Sequence, residues 1–247
     1  MELAINMFVQ LATTLEESIM RDLLSHKPKT GKFRIFLVDD HPVLREGLAR
    51  IINPQPDLSV CGEAANMTDA LKSIQVLKPD LVILDITLGG RSGLDLIKDM
   101  QLRSLKTSIL VLSMHDESLF AERALRAGAS GYITKEQASK EVLKAIHRVL
   151  DGEIYVSQKM SAAMMRRAMG GRVEAKTPPE GALSDRELQV FQLIGQGHGT
   201  RQIAEELRIS AKTVETYRAH IKIKMDLTNA HELIQRAVHW VESNHLN

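Results

Sequence analysis

Five times between residues 33 and 150, a short and almost wholly apolar run gives way to a longer stretch with apolar residues at helical spacing. A strand that is apolar on both faces needs helices over both faces, which is the setting of a parallel sheet. Parallel neighbours need a crossover long enough to hold a helix, and such crossovers are right-handed. The pattern therefore predicts an α/β doubly wound, five-stranded parallel sheet. Strands are expected at 33–38, 59–64, 81–85, 108–113 and 131–134, and helices at 42–53, 68–77, 93–100, 117–127 and 140–150. Pro42 suits a first helical turn, where a missing N–H costs nothing, and Gly128 suits the stop after residue 127.

Beyond Leu150 the strand pattern ends. A short helix is expected at 157–169, with Met160, Met164, Met165 and Met169 as packing residues rather than a metal site. The stretch "GGRVEAKTPPEG" (170–181) has the composition of a linker. Residues 183–240 read as helical, with Gly195, Gly197 and Gly199 between the first two helices. The chain thus divides into an N-terminal extension (1–32), an α/β domain (33–150), a linker with a short helix (151–182) and a small all-α domain (183–242). In the extension, Leu3, Met7, Leu11, Leu15, Ile19 and Leu23 recur every four residues, the mark of a helix with one apolar side. That side either docks on a partner or belongs to an inert appendage.

A single cysteine, Cys61, rules out an internal disulfide and a cysteine-rich zinc site; in an apolar strand it is expected to be buried. No apolar run approaches the roughly 20 residues that span a bilayer. The first 26 residues lack the basic start and compact apolar core of a secretory signal. A reducing, cytoplasmic setting without membrane attachment is the expectation. Net charge is +1, so any nucleic-acid surface must be local.

In an open parallel sheet, ligands bind beyond the carboxyl ends of the strands. Asp39 and Asp40 end the first strand, Asp85 the third and Ser113 the fourth, while Lys135 follows the fifth. In a flavodoxin-like strand order these tips converge. Three acids crowded together repel one another, and a hard divalent cation, most naturally Mg²⁺, relieves them. Such a site receives phosphoryl groups, and a carboxylate can itself be the nucleophile. Asp85, alone on its strand before the turn "DITLGG", is the candidate. Lys135 and the metal would offset phosphoryl charge, and Ser113 could donate a hydrogen bond. Singly, an Asp-Asp pair is usually a solvated turn and a strand-ending Asp a helix cap; five such residues at the right tips argue otherwise.

Further along, helices at 201–207, capped by Thr200, and 211–225, capped by Ser210, form a helix-turn-helix over about 200–219. Val214, Tyr217 or Arg218, Ile221 and Met225 should face the core. The opposite face then carries Lys212, Glu215, Thr216 and Ala219, with His220 alongside. Lys212, Arg218, Lys222 and Lys224 outnumber Glu215, which concentrates positive charge where phosphate contacts need it. By helix position Glu215, Thr216 and Ala219 would face base edges, and Lys212, Thr213, Tyr217, Arg218 and Lys224 would touch phosphates. By charge alone, a solvated helix of a small bundle stays open as an alternative.

"VDDHP", "LVILDI", "VLSMH" and "GYITK" together resemble the receiver domain of two-component response regulators. The resemblance implies that Asp85 accepts phosphate from a sensor histidine kinase. It implies a Mg²⁺ site of Asp39, Asp40, Asp85 and the backbone carbonyl of Thr87, a switch pair of Ser113 and Tyr132, and a phosphate contact from Lys135. Leu88-Gly89-Gly90 and Glu136 depart from the family's usual residues, and no catalytic group is missing. Residues 183–240 resemble the DNA-binding domain of NarL/FixJ-type regulators, which share the LuxR-type helix-turn-helix. Leu183, Ser184, Arg186, Glu187, Gly197, Ile203, Ala204, Leu207, Ile209, Ser210, Thr213, Val214, Ile221, Lys224, Leu227, Glu232 and Leu233 carry the match. "TNAHELIQRAVHW" resembles the last helix, which pairs two such domains, and Asn229 with Glu232 would cap it.

The expected protein is a phosphorylation-switched transcription factor that binds double-stranded DNA as a homodimer, its recognition helix masked against the receiver before activation. It is not a metabolic enzyme; its chemistry is limited to gaining and losing a phosphoryl group at Asp85. One alternative is a phosphorylation-switched adaptor that has lost DNA contact through Glu215. Another is a phosphatase of the haloacid-dehalogenase type. That family carries Asp-x-Asp-x-Thr, and neither "LVDDHP" nor "ILDITL" has a second aspartate two residues on.

Overall fold

The structure, a computed structural model, describes residues 31–88, 91–114, 117–168 and 182–245. The amphipathic stretch expected in the extension, Met169 and the linker at 170–181 lie outside the described residues. Strands β1 (Phe33–Val38), β2 (Leu58–Ala64), β3 (Leu81–Leu84), β6 (Ser108–Ser113) and β7 (Gly131–Thr134) form one sheet in the order β2-β1-β3-β6-β7. Every adjacent pair is parallel. A two-residue hairpin, β4 (Thr87–Leu88) with β5 (Arg91–Ser92), follows β3 directly. Helices α1 (Pro42–Ile52), α2 (Met67–Leu77), α3 (Gly93–Leu102), α4 (Glu117–Ala127) and α5 (Lys135–Leu150) connect the strands.

The central strands are apolar on both faces because both are covered. Val82, Leu84, Ile109 and Val111 join one core with Phe120 and Met100. Ile35, Leu37, Ile83 and Leu112 join another with Ile52, Val142 and Ile146. Strand β2 lies at the sheet edge, and Cys61 on it is only partly buried, a departure from the expectation of a core position. An edge strand has a neighbour on one side only, so its side chains keep access to solvent. Helix α5 begins five residues earlier than the apolar pattern suggested. Thr134 and Gln137 form a reciprocal capping box, and this satisfies the orphan N–H groups there. Gly128, at φ 113°, closes α4 as expected.

The chain after α5 continues along the sheet. The Tyr132 N–H donates to the Tyr155 carbonyl (2.7 Å), and the Tyr155 N–H to the Ser130 carbonyl (3.0 Å). In α6 (Gln158–Ala168) Met160 is buried and Met164 packs beside it. Met165 is exposed and so takes no part in that packing.

Helices α7 (Asp185–Gly195), α8 (Thr200–Glu206), α9 (Ala211–Lys224) and α10 (Ala230–His245) form the second unit. Its core joins Leu188, Phe191, Ile203, Val214, Ile221 and Leu233, with Phe191 and Trp240 tilted at 5.4 Å. Gly195 lets α10 approach closely: a Cβ there would lie 2.4 Å from the Ala237 carbonyl oxygen. Gly199, not Thr200, is the N-cap of α8, its N–H taken by Gln202. Ser210 caps α9 by accepting from the Thr213 N–H.

Candidate functional site

The sheet order brings β1, β3, β6 and β7 side by side, so their carboxyl ends share one edge. Asp39 and Asp40 follow β1, Asp85 follows β3, Ser113 ends β6 and Lys135 opens α5 beyond β7. Lys135 Nζ donates to Asp85 Oδ2 at 2.7 Å and lies 2.8 Å from Asp39 Oδ2. Asp39 and Asp85 are each only 3 % exposed. Asp39, Asp40, Asp85 and His41 each offer one ligand atom within 4.8 Å of the others.

Local structure aims these groups. Asp39 Oδ1 accepts the His41 N–H at 2.7 Å, and Arg45 holds the Asp39 carbonyl at 2.7 Å. Asp85 Oδ1 accepts the Thr87 N–H at 3.1 Å, across the turn that leads into the hairpin. Gly93 lies directly behind: a Cβ on it would stand 2.2 Å from the Asp85 carbonyl oxygen. The close approach of this backbone to the Asp85 carbonyl therefore requires glycine there. Ser113 and Tyr132 are fully buried.

Burial pushes the Asp85 carboxyl up to about 6; Lys135 partly offsets this, and Asp39 reinforces it. Burial alone would lower the Lys135 ammonium, but the Asp85 and Asp39 carboxylates outweigh it and raise it. Asp39 and Asp85 thus share one ammonium. Three carboxylates are hard oxygen donors, and the set fits a hard divalent cation such as Mg²⁺.

On α9, Lys212, Glu215, Thr216, Ala219 and His220 are exposed, while Val214 and Ile221 are buried. Tyr217 packs on the core while Thr213 and Arg218 are half-buried. This face is open to solvent. Glu215 is engaged locally: Thr200 Oγ1 donates to its Oε1 at 2.7 Å, and Arg218 Nε stands at 4.0 Å. Lys224, expected at phosphates, donates to buried Glu187 at 2.6 Å within the helical unit.

The two units touch. Arg123 of α4 donates to the Leu183 carbonyl (2.8 Å) and to Asp185 (3.1 Å), and Lys98 lies 3.6 Å from Asp185. Arg208, in the turn between α8 and α9, donates to Asp40 at 2.8 Å. Sequence reasoning gave no role to His41, although it stands in "VDDHP", and none to Gly93 or Arg208. His41 had a signal in its adjacency to the acids; Arg208, 168 residues from Asp40, had none.

A parallel sheet with three acids and a lysine at its tips, joined to a helix-turn-helix unit, defines a two-component response regulator that binds DNA. The family model for the response regulator receiver domain matches residues 35–147, and that for bacterial regulatory proteins of the luxR family matches residues 181–237. The oxygen regulatory protein NreC of Staphylococcus haemolyticus is 35 % identical over 209 residues, covering 83 % of this chain and 96 % of that protein. NreC of Staphylococcus aureus shows the same identity and coverage. A LuxR-family response regulator from Aurantimonas is 36 % identical with a TM-score of 0.52, over 56 % of this chain and 99 % of that one. RcsB from Salmonella enterica, solved bound to a promoter, shares the fold at 22 % identity and a TM-score of 0.54, over 83 % of this chain and 97 % of that one. The chain belongs to the response regulators that join a receiver domain to a LuxR-type DNA-binding domain, and it is a phosphorylation-activated transcriptional regulator. Among the described residues no helix is long and apolar enough to cross a membrane.

Proposed function

We propose that Asp85 is the phosphoacceptor, with Asp39, Asp40, Asp85 and the Thr87 carbonyl holding Mg²⁺ and Lys135 binding the phosphoryl oxygens. The observation that carries this reading is the single ammonium of Lys135 bridging Asp85 and Asp39 at 2.7 and 2.8 Å. The donor is a phosphohistidine on a sensor kinase. Its P–N bond breaks as an Asp85 oxygen bonds to phosphorus, and the departing imidazole takes a proton. Water later cleaves the mixed anhydride, returning the carboxylate and inorganic phosphate. Bound Mg²⁺ supplies charge neutralisation on the transferring group. Lys135 offsets the same charge, and Ser113 with Tyr132 relays the change to the surface by a shift in population.

Residues 33–150 form the receiver and 183–242 the DNA-binding domain, with 151–182 between them. The phosphorylated protein pairs through α10 and sets two copies of α9 into successive major grooves. Lys212, Thr213, Tyr217 and Arg218 serve phosphates, and Glu215, Thr216, Ala219 and His220 lie toward the bases, while Lys224 is held by Glu187. The molecule works in the cytoplasm.

Incubation with a small phosphodonor and Mg²⁺ should label wild type and leave Asp85→Ala unlabelled; equal labelling of both removes Asp85 from its role. In gel shifts binding should weaken steeply with salt, and Lys212→Ala should lower the salt slope by about 1. Salt-insensitive capture of a protein partner without duplex binding would favour the adaptor instead.

A further inference from the structure

The helical unit places a guanidinium on a carboxylate of the acid cluster. Asp40 has a side chain only 7 % exposed, whereas the Arg208 side chain is 48 % exposed. The guanidinium therefore approaches a sheltered carboxylate from the open side. Both Asp40 oxygens have a nitrogen neighbour: Arg208 Nη1 lies 2.8 Å from Oδ2, and His41 Nδ1 lies 2.9 Å from Oδ1. Lys135, by contrast, is held by Asp39 and Asp85 together. The receiver's own ammonium is thus committed to two acids, and the third receives a guanidinium from the other domain.

We infer that Arg208 and a divalent cation compete for Asp40, so that metal loading and the seating of the helix-turn-helix on the receiver oppose each other. This rests on reading the acid cluster as a metal site. A dication held by Asp40 would draw on the carboxylate that Arg208 engages through Oδ2. The incoming cation carries twice the charge of the guanidinium it replaces. The other ion pairs described between the domains, Arg123 and Lys98 with Asp185, use none of the cluster's carboxylates. A cation therefore frees the turn at Arg208 while α7 stays pinned. The coupling is reciprocal: whatever factor Arg208 takes from metal affinity, metal takes from the seating of Arg208. The divalent cation acts here before any phosphoryl group arrives.

The test uses the full chain with Mg²⁺ as the only ligand. Calorimetric titration at fixed ionic strength should show Arg208→Ala binding Mg²⁺ about fivefold more tightly than wild type, the low end of measured couplings. Arg208→Lys, which keeps the charge, should stay near wild type. In unmodified protein, amide exchange across residues 207–210 should speed up when Mg²⁺ is added, a readout that needs no variant. Equal Mg²⁺ affinity in wild type and Arg208→Ala, with exchange at 207–210 indifferent to Mg²⁺, overturns the competition and leaves the metal site standing. Failure of either protein to bind Mg²⁺ at millimolar concentration removes the metal site, and the inference with it.

Discussion

Asp85 in the receiver and Glu187 in the helical domain are both 3 % exposed. Each meets a lysine ammonium, at 2.7 and 2.6 Å respectively. Their carboxyls nevertheless move in opposite directions. Burial pushes Asp85 up to about 6; Lys135 offsets only part of this, and Asp39 adds repulsion. Burial pushes Glu187 upward too, but the hydrogen bonds from Lys224 and Ser184 outweigh it and hold the carboxyl below its usual range. The difference lies in company. Glu187 closes a capping box at the N-terminus of α7, where the helix dipole favours an anion. Asp85 has one backbone donor and an acidic neighbour. A carboxylate with all its partners holds a fold together, and one short of positive charge is ready for a ligand.

The largest effect that would break this contrast is total. Asp85→Ala should lose all phosphodonor labelling in intact-mass analysis while the protein stays folded, since removing a carboxylate from a crowded acid cluster relieves repulsion. Next comes Gly93→Ala. Its Cβ would collide with the Asp85 carbonyl at 2.2 Å. It should cost about 3 kcal/mol in a denaturant titration, the upper range for overpacking, and labelling should fall as well. Unchanged stability would mean that the backbone behind Asp85 yields easily.

Glu187→Ala should cost about 2 kcal/mol in a thermal melt. It leaves the Ser184 N–H and Lys224 without their acceptor, though Lys224 keeps some solvent. The pH dependence has a definite sign. The folded carboxyl lies below its unfolded value of 4.5. Its stabilisation is therefore full above that pH and is lost as pH falls through the depressed value. Glu187→Gln should flatten this acid limb; parallel limbs in both proteins would deny the carboxylate a net contribution. The smallest effect is Ser184→Ala, at about 1 kcal/mol for a lost N-cap.

Most of the receiver was legible because its signals are local. Apolar runs at 81–85 and 108–113 have too few polar positions for anything but a covered strand. The tip residues Asp39, Asp85 and Ser113 follow from where those runs stop. The errors have local causes as well. The charge of Lys135 overshadows the capping signal of Thr134 and Gln137, which starts α5 at 135 rather than at 140. Cys61 was placed in the core because periodicity does not tell an edge strand from a central one. Thr200 has the residue type of a cap, whereas Gly199 holds the capping geometry. That α9 turns this face to solvent is not written in helical spacing either, because packing between domains leaves no trace there.

By itself the sequence determined the alternation of strands and helices, the acids at the strand tips and the charge carried by α9. Each depends on residues a few positions apart, where backbone period links sequence to space. Only the tertiary structure decided that Gly93 backs onto Asp85, that Lys224 turns inward to Glu187, and that Arg208 reaches Asp40 across 168 residues. Those contacts depend on how finished elements and domains pack against one another, and no spacing along a chain encodes that.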